Sequence, residues 1–113
     1  MLVPGREQAL IDQAKLQDYL LSTEHPIGRF KARFFAALGF YASSWSLFEQ
    51  ALREQHLTQK AEAGPVDPLG QTFVVRAILR GPGGVEAPVV SVWFVRNGEA
   101  FPRFVTAYPG GSK

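Results

Sequence analysis

The chain has 113 residues, 46% of them hydrophobic, and a formal net charge of +2. That length fits one domain, able to bury roughly 65% of its unfolded surface without a covalent staple, and the composition excludes a disordered chain. The lack of cysteine rules out disulfides and thiolate metal sites and fits a cytoplasmic protein. No signal-peptide-like stretch opens the sequence, and no apolar run approaches the roughly 20 residues of a membrane span.

Taken in order, residues 1–11 are an entry segment, with Val3-Pro4 extended. Asp12 is positioned to cap a helix running to about Leu21, with Leu16 and Leu20 on one face and Lys15 and Tyr19 on the next. Ser22 to Pro26 is a break. A second helix spans about Gly28 to Leu38, with an apolar stripe of Ile27, Phe30, Phe34, Phe35 and Leu38 and with Arg29 and Arg33 on the far side. Lys31 falls on the margin of that stripe, where its stem can cover apolar surface while the amine reaches out. Gly39 is a suitable terminator. Ser43 or Ser44 can start a third helix over about Trp45–His56, whose apolar face is Trp45, Phe48 and Leu52. Residues 61–70 are rich in turn formers and read as a loop, with room for a short extra strand within 57–66.

Residues 71–108 read as three antiparallel strands, Gln71–Arg80, about Ala87–Arg96 and Ala100–Tyr108, joined at Gly81–Gly84 and at Asn97-Gly98. Asn-Gly between apolar runs is a strong hairpin signal, suited to a type I′ turn. Short turns at both places set Arg80 opposite Val85, Val75 opposite Val90, Arg96 opposite Glu99 and Phe94 opposite Phe101. One face then carries Phe73, Val75, Ala77, Val90, Val92, Phe94, Phe101 and Val105, with Arg103 its only charge. The other carries Val74, Arg76, Ser91, Trp93, Phe104, Thr106 and Tyr108. Arg76, Val89 and Thr106 fall in one row. The expected fold is α+β: three N-terminal helices (about 12–56), a linker (about 57–70) and a three- or four-stranded antiparallel meander (about 71–108), with the helices on one sheet face. The mixed face is the candidate working surface.

Charge is unevenly placed. No acid lies between Glu24 and Glu49, whereas Arg29, Lys31 and Arg33 do, and the sheet holds Arg76, Arg80, Arg96 and Arg103 against Glu86 and Glu99. Such a surface tolerates a polyanion such as RNA; ordinary solvated charge is the alternative. P-loop, dinucleotide, HExxH and nucleophile-elbow motifs are absent, and two histidines thirty-one residues apart form no metal motif. No cofactor or metal is implied.

RNA cleavage without metal needs few groups. The RNA's 2′-hydroxyl attacks phosphorus, a base takes its proton, a cation offsets the phosphorane charge, and an acid protonates the leaving oxygen. His25, Lys31, Arg76, Thr106 and Tyr108 are the candidate catalytic groups. Ser91, Trp93 and Arg103 are candidate substrate-binding groups, Trp93 through stacking on a base. Each has a structural counterpart. His25 can cap the second helix, Arg103 can pair with Asp12, Asp18 or Glu24, and Trp93, Phe104 and Val74 can form a homodimer or partner surface instead.

The motifs Lys15-Leu16-x-x-Tyr19-Leu20-Leu21, His25-Pro26-x-Gly28-x-x-Lys31-Ala32-x-Phe34-Phe35-x-x-Leu38-Gly39-Phe40 and Thr106-Ala107-Tyr108-Pro109 resemble those of an uncharacterised family of small bacterial domains. That family's domains occur alone and at the C-terminal ends of large secreted toxin-like chains. Its layout is similar to that of the barnase, EndoU, colicin and RelE group of metal-independent ribonucleases. The resemblance implies that His25 and Lys31 approach the sheet beside Arg76, Thr106 and Tyr108. It also implies a neutralising partner protein, and secretion where the domain belongs to a toxin system.

Overall fold

A computed structural model of the chain describes residues 1–26 and 28–110; Ile27, the first residue of the predicted stripe, lies outside them. A 3₁₀ turn (Arg6–Gln8) precedes helix α1 (Gln13–Lys15), which continues as a wide π turn (Leu16–Leu20). Helix α2 spans Arg29–Ala37, and α3 (Trp45–Ala51) continues as a second π-helical stretch (Leu52–His56). Four strands follow, β1 (Ala61–Asp67), β2 (Gly70–Arg80), β3 (Glu86–Arg96) and β4 (Arg103–Pro109), in the order β1-β2-β3-β4, all antiparallel. The fold is the expected α+β arrangement, and the turn-rich stretch after α3 supplies the fourth strand. Among the described residues no helix is long and apolar enough to cross a membrane.

The helices form where their caps and stripes place them. Asp12 Oδ1 accepts the Ala14 N–H at 2.9 Å, satisfying a donor that the first turn leaves open. Along α2 and its C-cap, Ala32, Phe35 and Leu38 are buried, but Phe30, assigned to the apolar stripe, is 61% exposed. The stripe is narrower than the sequence suggests because α2 packs along the sheet's margin. Neither serine caps α3; the Ser44 hydroxyl donates to the Tyr41 carbonyl. Phe35, Phe48 and Phe40 meet edge to face at 4.9 and 5.1 Å and join the helices into one apolar layer.

The sheet differs from the expected register. The β2–β3 connection uses five residues, with the Gly81 N–H bonded to the Val85 carbonyl, so Arg80 faces Glu86, Val75 faces Ser91 and Phe73 faces Trp93. One extra residue reverses every side chain of β3. Val92 and Phe94, expected in the core, lie on the outer face; Val89, Ser91 and Trp93 lie on the core face. The second connection is not a two-residue hairpin. Gly98 has φ 84 but Asn97 has negative φ, the sign pattern of a type II turn rather than type I′. Asn97 is tied to the β1–β2 hairpin through Pro68 and Leu69. Pro102 lacks the N–H a ladder needs, and β4 begins only at Arg103.

A bulge at Val105 separates the Trp93–Phe104 pair from the Val92–Thr106 pair. Beyond it, the β3–β4 register is odd relative to expectation, as the β2–β3 register is. The two shifts cancel, so Arg76, Thr106 and Tyr108 share the outer face after all. Val74, Val92 and Thr106 form one row and Arg76, Val90 and Tyr108 the next. The expected row of Arg76, Val89 and Thr106 is therefore replaced.

The N-terminal segment bonds to one end of each outer strand. The Met1 carbonyl accepts the Ala61 N–H of β1 at 2.7 Å. Leu10 pairs with β4, donating to the Pro102 carbonyl and accepting from the Phe104 N–H, each at 2.9 Å. The Lys15 ammonium donates to the carbonyls of Phe104 and Val105, occupying acceptors that the bulge turns outward.

Candidate functional site

The candidate site lies where α2 passes the margin of β4. Lys31 leaves the buried side of α2 and donates from Nζ to Thr106 Oγ1 at 3.0 Å. The same ammonium stands 5.9 Å from the centre of the Tyr19 ring and 5.8 Å from that of Tyr108, within the range of cation–π attraction. Partial burial pulls the Lys31 pKa below the ordinary lysine value, because desolvation penalises the charged form. Lys31 forms no ion pair among the described residues. A cation held by a hydroxyl and two aromatic rings is poised for an anionic ligand.

The loop between α1 and α2 places His25 against Tyr19, whose ring also neighbours this cation. The Leu21 N–H bonds to the Leu16 carbonyl at 2.9 Å, a π turn that carries Tyr19 toward α2. Tyr19 and His25 meet edge to face at 4.8 Å. The Gly28 N–H donates to His25 Nδ1 at 3.1 Å. The imidazole thus closes the turn that leads into α2, and its ring hydrogen sits on Nε2. Gly28 permits this loop: a Cβ there would stand 2.1 Å from the Tyr19 carbonyl oxygen. His25 also lines a groove of about 660 Å³ with Asp18, Ser22, Thr23, Glu24 and Tyr41. That lining is acidic and omits Lys31.

Arg76 lies on the same sheet face, exposed, its Nε 3.6 Å from Glu62 Oε1. Two strand spacings, about 10 Å, separate its backbone from that of Tyr108 in the same row. The structure thus gathers Lys31, Thr106 and Tyr108, adds His25 through Tyr19, and keeps Arg76 at the far side of the face.

The three residues assigned to substrate binding stand elsewhere. Ser91 and Trp93 are each 0% exposed, in the core. The Trp93 Nε1–H donates to Ser91 Oγ at 2.9 Å, and Ser91 Oγ lies 2.7 Å from His56 Nδ1. His56 Nε2 lies 3.2 Å from the Ala77 carbonyl. A carbonyl only accepts, so Nε2 carries the hydrogen and Nδ1 accepts from Ser91. Every polar atom of this buried chain is satisfied with His56 neutral, and burial pushes the His56 pKa down to about 4. Trp93 and Phe104 pack edge to face at 5.2 Å, both buried, which removes the expected pairing surface. Arg103 is not on the core face and takes none of its expected partners. Its guanidinium grips Glu99 bidentately at 2.8 and 3.0 Å, displacing the expected Arg96–Glu99 pair and holding the Glu99 carboxyl below its usual range.

A family model described as a domain of unknown function, DUF6883, matches residues 2–111. The chain belongs to that family. The DUF6883 chain is also similar to a solved chain from a contact-dependent growth inhibition toxin–immunity protein complex of Klebsiella pneumoniae 342. The likeness has a TM-score of 0.58 at 21% identity and covers 95% of this chain and 97% of the other. At that identity the likeness is one of fold. No curated protein matches.

Sequence reasoning missed Tyr19, Gly28 and His56. Tyr19 stood in the family motif and beside Lys15 on a helix face, with no role attached. His56 had a usable signal: it continues the spacing of Phe48 and Leu52, four residues on, which places it on the buried face.

Proposed function

We propose that this DUF6883 domain is a toxin-type, metal-independent RNA-cleaving domain acting through the RNA's own 2′-hydroxyl. The observation that carries the reading is the partly desolvated Lys31 ammonium, held by Thr106 between two tyrosine rings. Desolvation strengthens its attraction for charge that develops on a phosphorane. In the proposed reaction the 2′-oxygen bonds to phosphorus and the bond to the 5′-oxygen breaks. The 2′-hydroxyl proton leaves with a base, and a proton reaches the departing 5′-oxygen. Lys31 and Arg76 offset the phosphoryl charge, while Thr106 and Tyr108 position Lys31. His25 exchanges protons. Acting as a base at Nε2 requires its ring hydrogen to move to Nδ1, which breaks the bond from Gly28.

The test is cleavage of total RNA by the wild type and by Lys31→Met, His25→Ala and Arg76→Ala, each checked for folding by circular dichroism. Lys31→Met should reduce cleavage about 10²- to 10³-fold, the usual cost of one charge-stabilising group. Cleavage equal to wild type in all three variants, or none by the wild type, refutes the reading.

The likeness to a chain from a toxin–immunity complex supports a neutralising partner protein for this domain as well. Such a partner would be acidic if it covers α2, whose charges are Arg29, Lys31 and Arg33.

A further inference from the structure

The outward side of α2 carries a feature the proposed chemistry does not use. Phe30 is 61% exposed. The guanidinium carbons of Arg29 and Arg33 stand 4.9 and 5.8 Å from its ring centre. Neither arginine forms an ion pair among the described residues, and the sequence offers no acid between Glu24 and Glu49. Two arginines one helical turn apart are thus organised by an aromatic ring rather than by carboxylates. A guanidinium stacked on a ring keeps its N–H edge free for phosphate oxygens. The ring adds a flat apolar surface of the kind on which unpaired bases stack. Lys31 is the next residue along the same helix and turns inward to Thr106.

We infer that Arg29, Phe30 and Arg33 form a stacking platform for single-stranded nucleic acid, which delivers the strand to Lys31. The inference rests on the reading of this domain as RNA-directed and names the single-stranded form as its substrate class. Phe30 takes a base on the ring surface that the guanidinium groups leave open, and the two arginines take phosphates on either side of it.

The test is fluorescence anisotropy with a short single-stranded DNA oligonucleotide, which lacks the 2′-hydroxyl and is bound without being cut. Phe30→Ala should weaken binding at least about fivefold, the lower bound for one stacked base, with the salt dependence unchanged. Phe30→Leu, equally apolar but not planar, should lose as much, and Phe30→Trp should restore it. The double variant Arg29→Gln/Arg33→Gln should lower the slope of log affinity against log salt by about 1.4, the value for two lost phosphate contacts on a single strand. A wild type that fails to bind, Phe30→Leu that binds like wild type, or an unchanged slope in the double variant overturns the platform. The first two are the results expected if the patch serves an acidic protein instead. Failure of the cleavage reading is distinguishable: the wild type then binds the oligonucleotide with these sensitivities yet leaves RNA intact.

Discussion

Ser91 Oγ and His56 Nδ1 lie 2.7 Å apart at the centre of the molecule, joining the end of α3 to the middle of β3. Burial of His56 makes stability depend on pH. His56 is depressed to about 4 in the fold, from an ordinary 6.5. Between those values the unfolded state binds the proton and the folded state does not, so stability rises with pH. The contribution is complete above pH 6.5 and is lost as pH falls toward 4, roughly 3 kcal/mol in all at about 1.4 kcal/mol per unit. Urea unfolding at a series of pH values should show this slope, and His56→Gln should flatten it.

Trp93→Ala should destabilise by about 3–5 kcal/mol, the range for emptying an aromatic site in a core. Its indole is fully buried and donates to Ser91. Size-exclusion chromatography of any folded fraction should show the wild-type elution volume, because Trp93 has no surface to lend to a partner. A shift from dimer to monomer would contradict the core assignment.

Lys31→Met should leave unfolding free energy within about 1 kcal/mol of wild type, since one partly exposed hydrogen bond contributes about that much. Stability and activity should therefore separate at this position. A loss of several kcal/mol in denaturant unfolding would make Lys31 a structural lysine.

Gly28→Ala should cost about 1–3 kcal/mol, the usual range for overpacking. The added methyl would stand 2.1 Å from the Tyr19 carbonyl oxygen and must push the loop away. The His25–Gly28 bond should be lost with it, read as a shift of the His25 ring nitrogens by NMR. Unchanged nitrogen shifts would show that the loop accommodates the methyl elsewhere.

The helices were legible because their signals are local. Asp12 before α1, the Phe35–Leu38 stripe and the Phe48–Leu52 spacing each sit within a few residues. Phe30 broke the pattern because an apolar residue on a helix margin carries no mark of which neighbour, if any, will cover it. The register of β3 was not legible, since Val90, Val92 and Phe94 make as apolar a face as Val89, Trp93 and Val95. Only turn length decides between them, and a run of Gly-Pro-Gly-Gly does not announce its length. Arg76, Thr106 and Tyr108 share one face in the expected register and in the observed one, because the two shifts have the same parity. Lys31 reaching Thr106 came from the family resemblance; periodicity placed the lysine only at a margin. Ser91 and Trp93 went to the wrong face with the rest of β3.

Met1 bonds to one outer strand and Leu10 to the other, so a single short ribbon of backbone guards both ends of the ladder. A mechanical load applied at residue 1 would act first on the Met1–Ala61 bond and then peel toward Leu10. Once wholly detached, the ribbon would leave both outer strands without these bonds, each more open to pairing with a foreign chain. Traction from the amino end thus threatens solubility before it threatens the core.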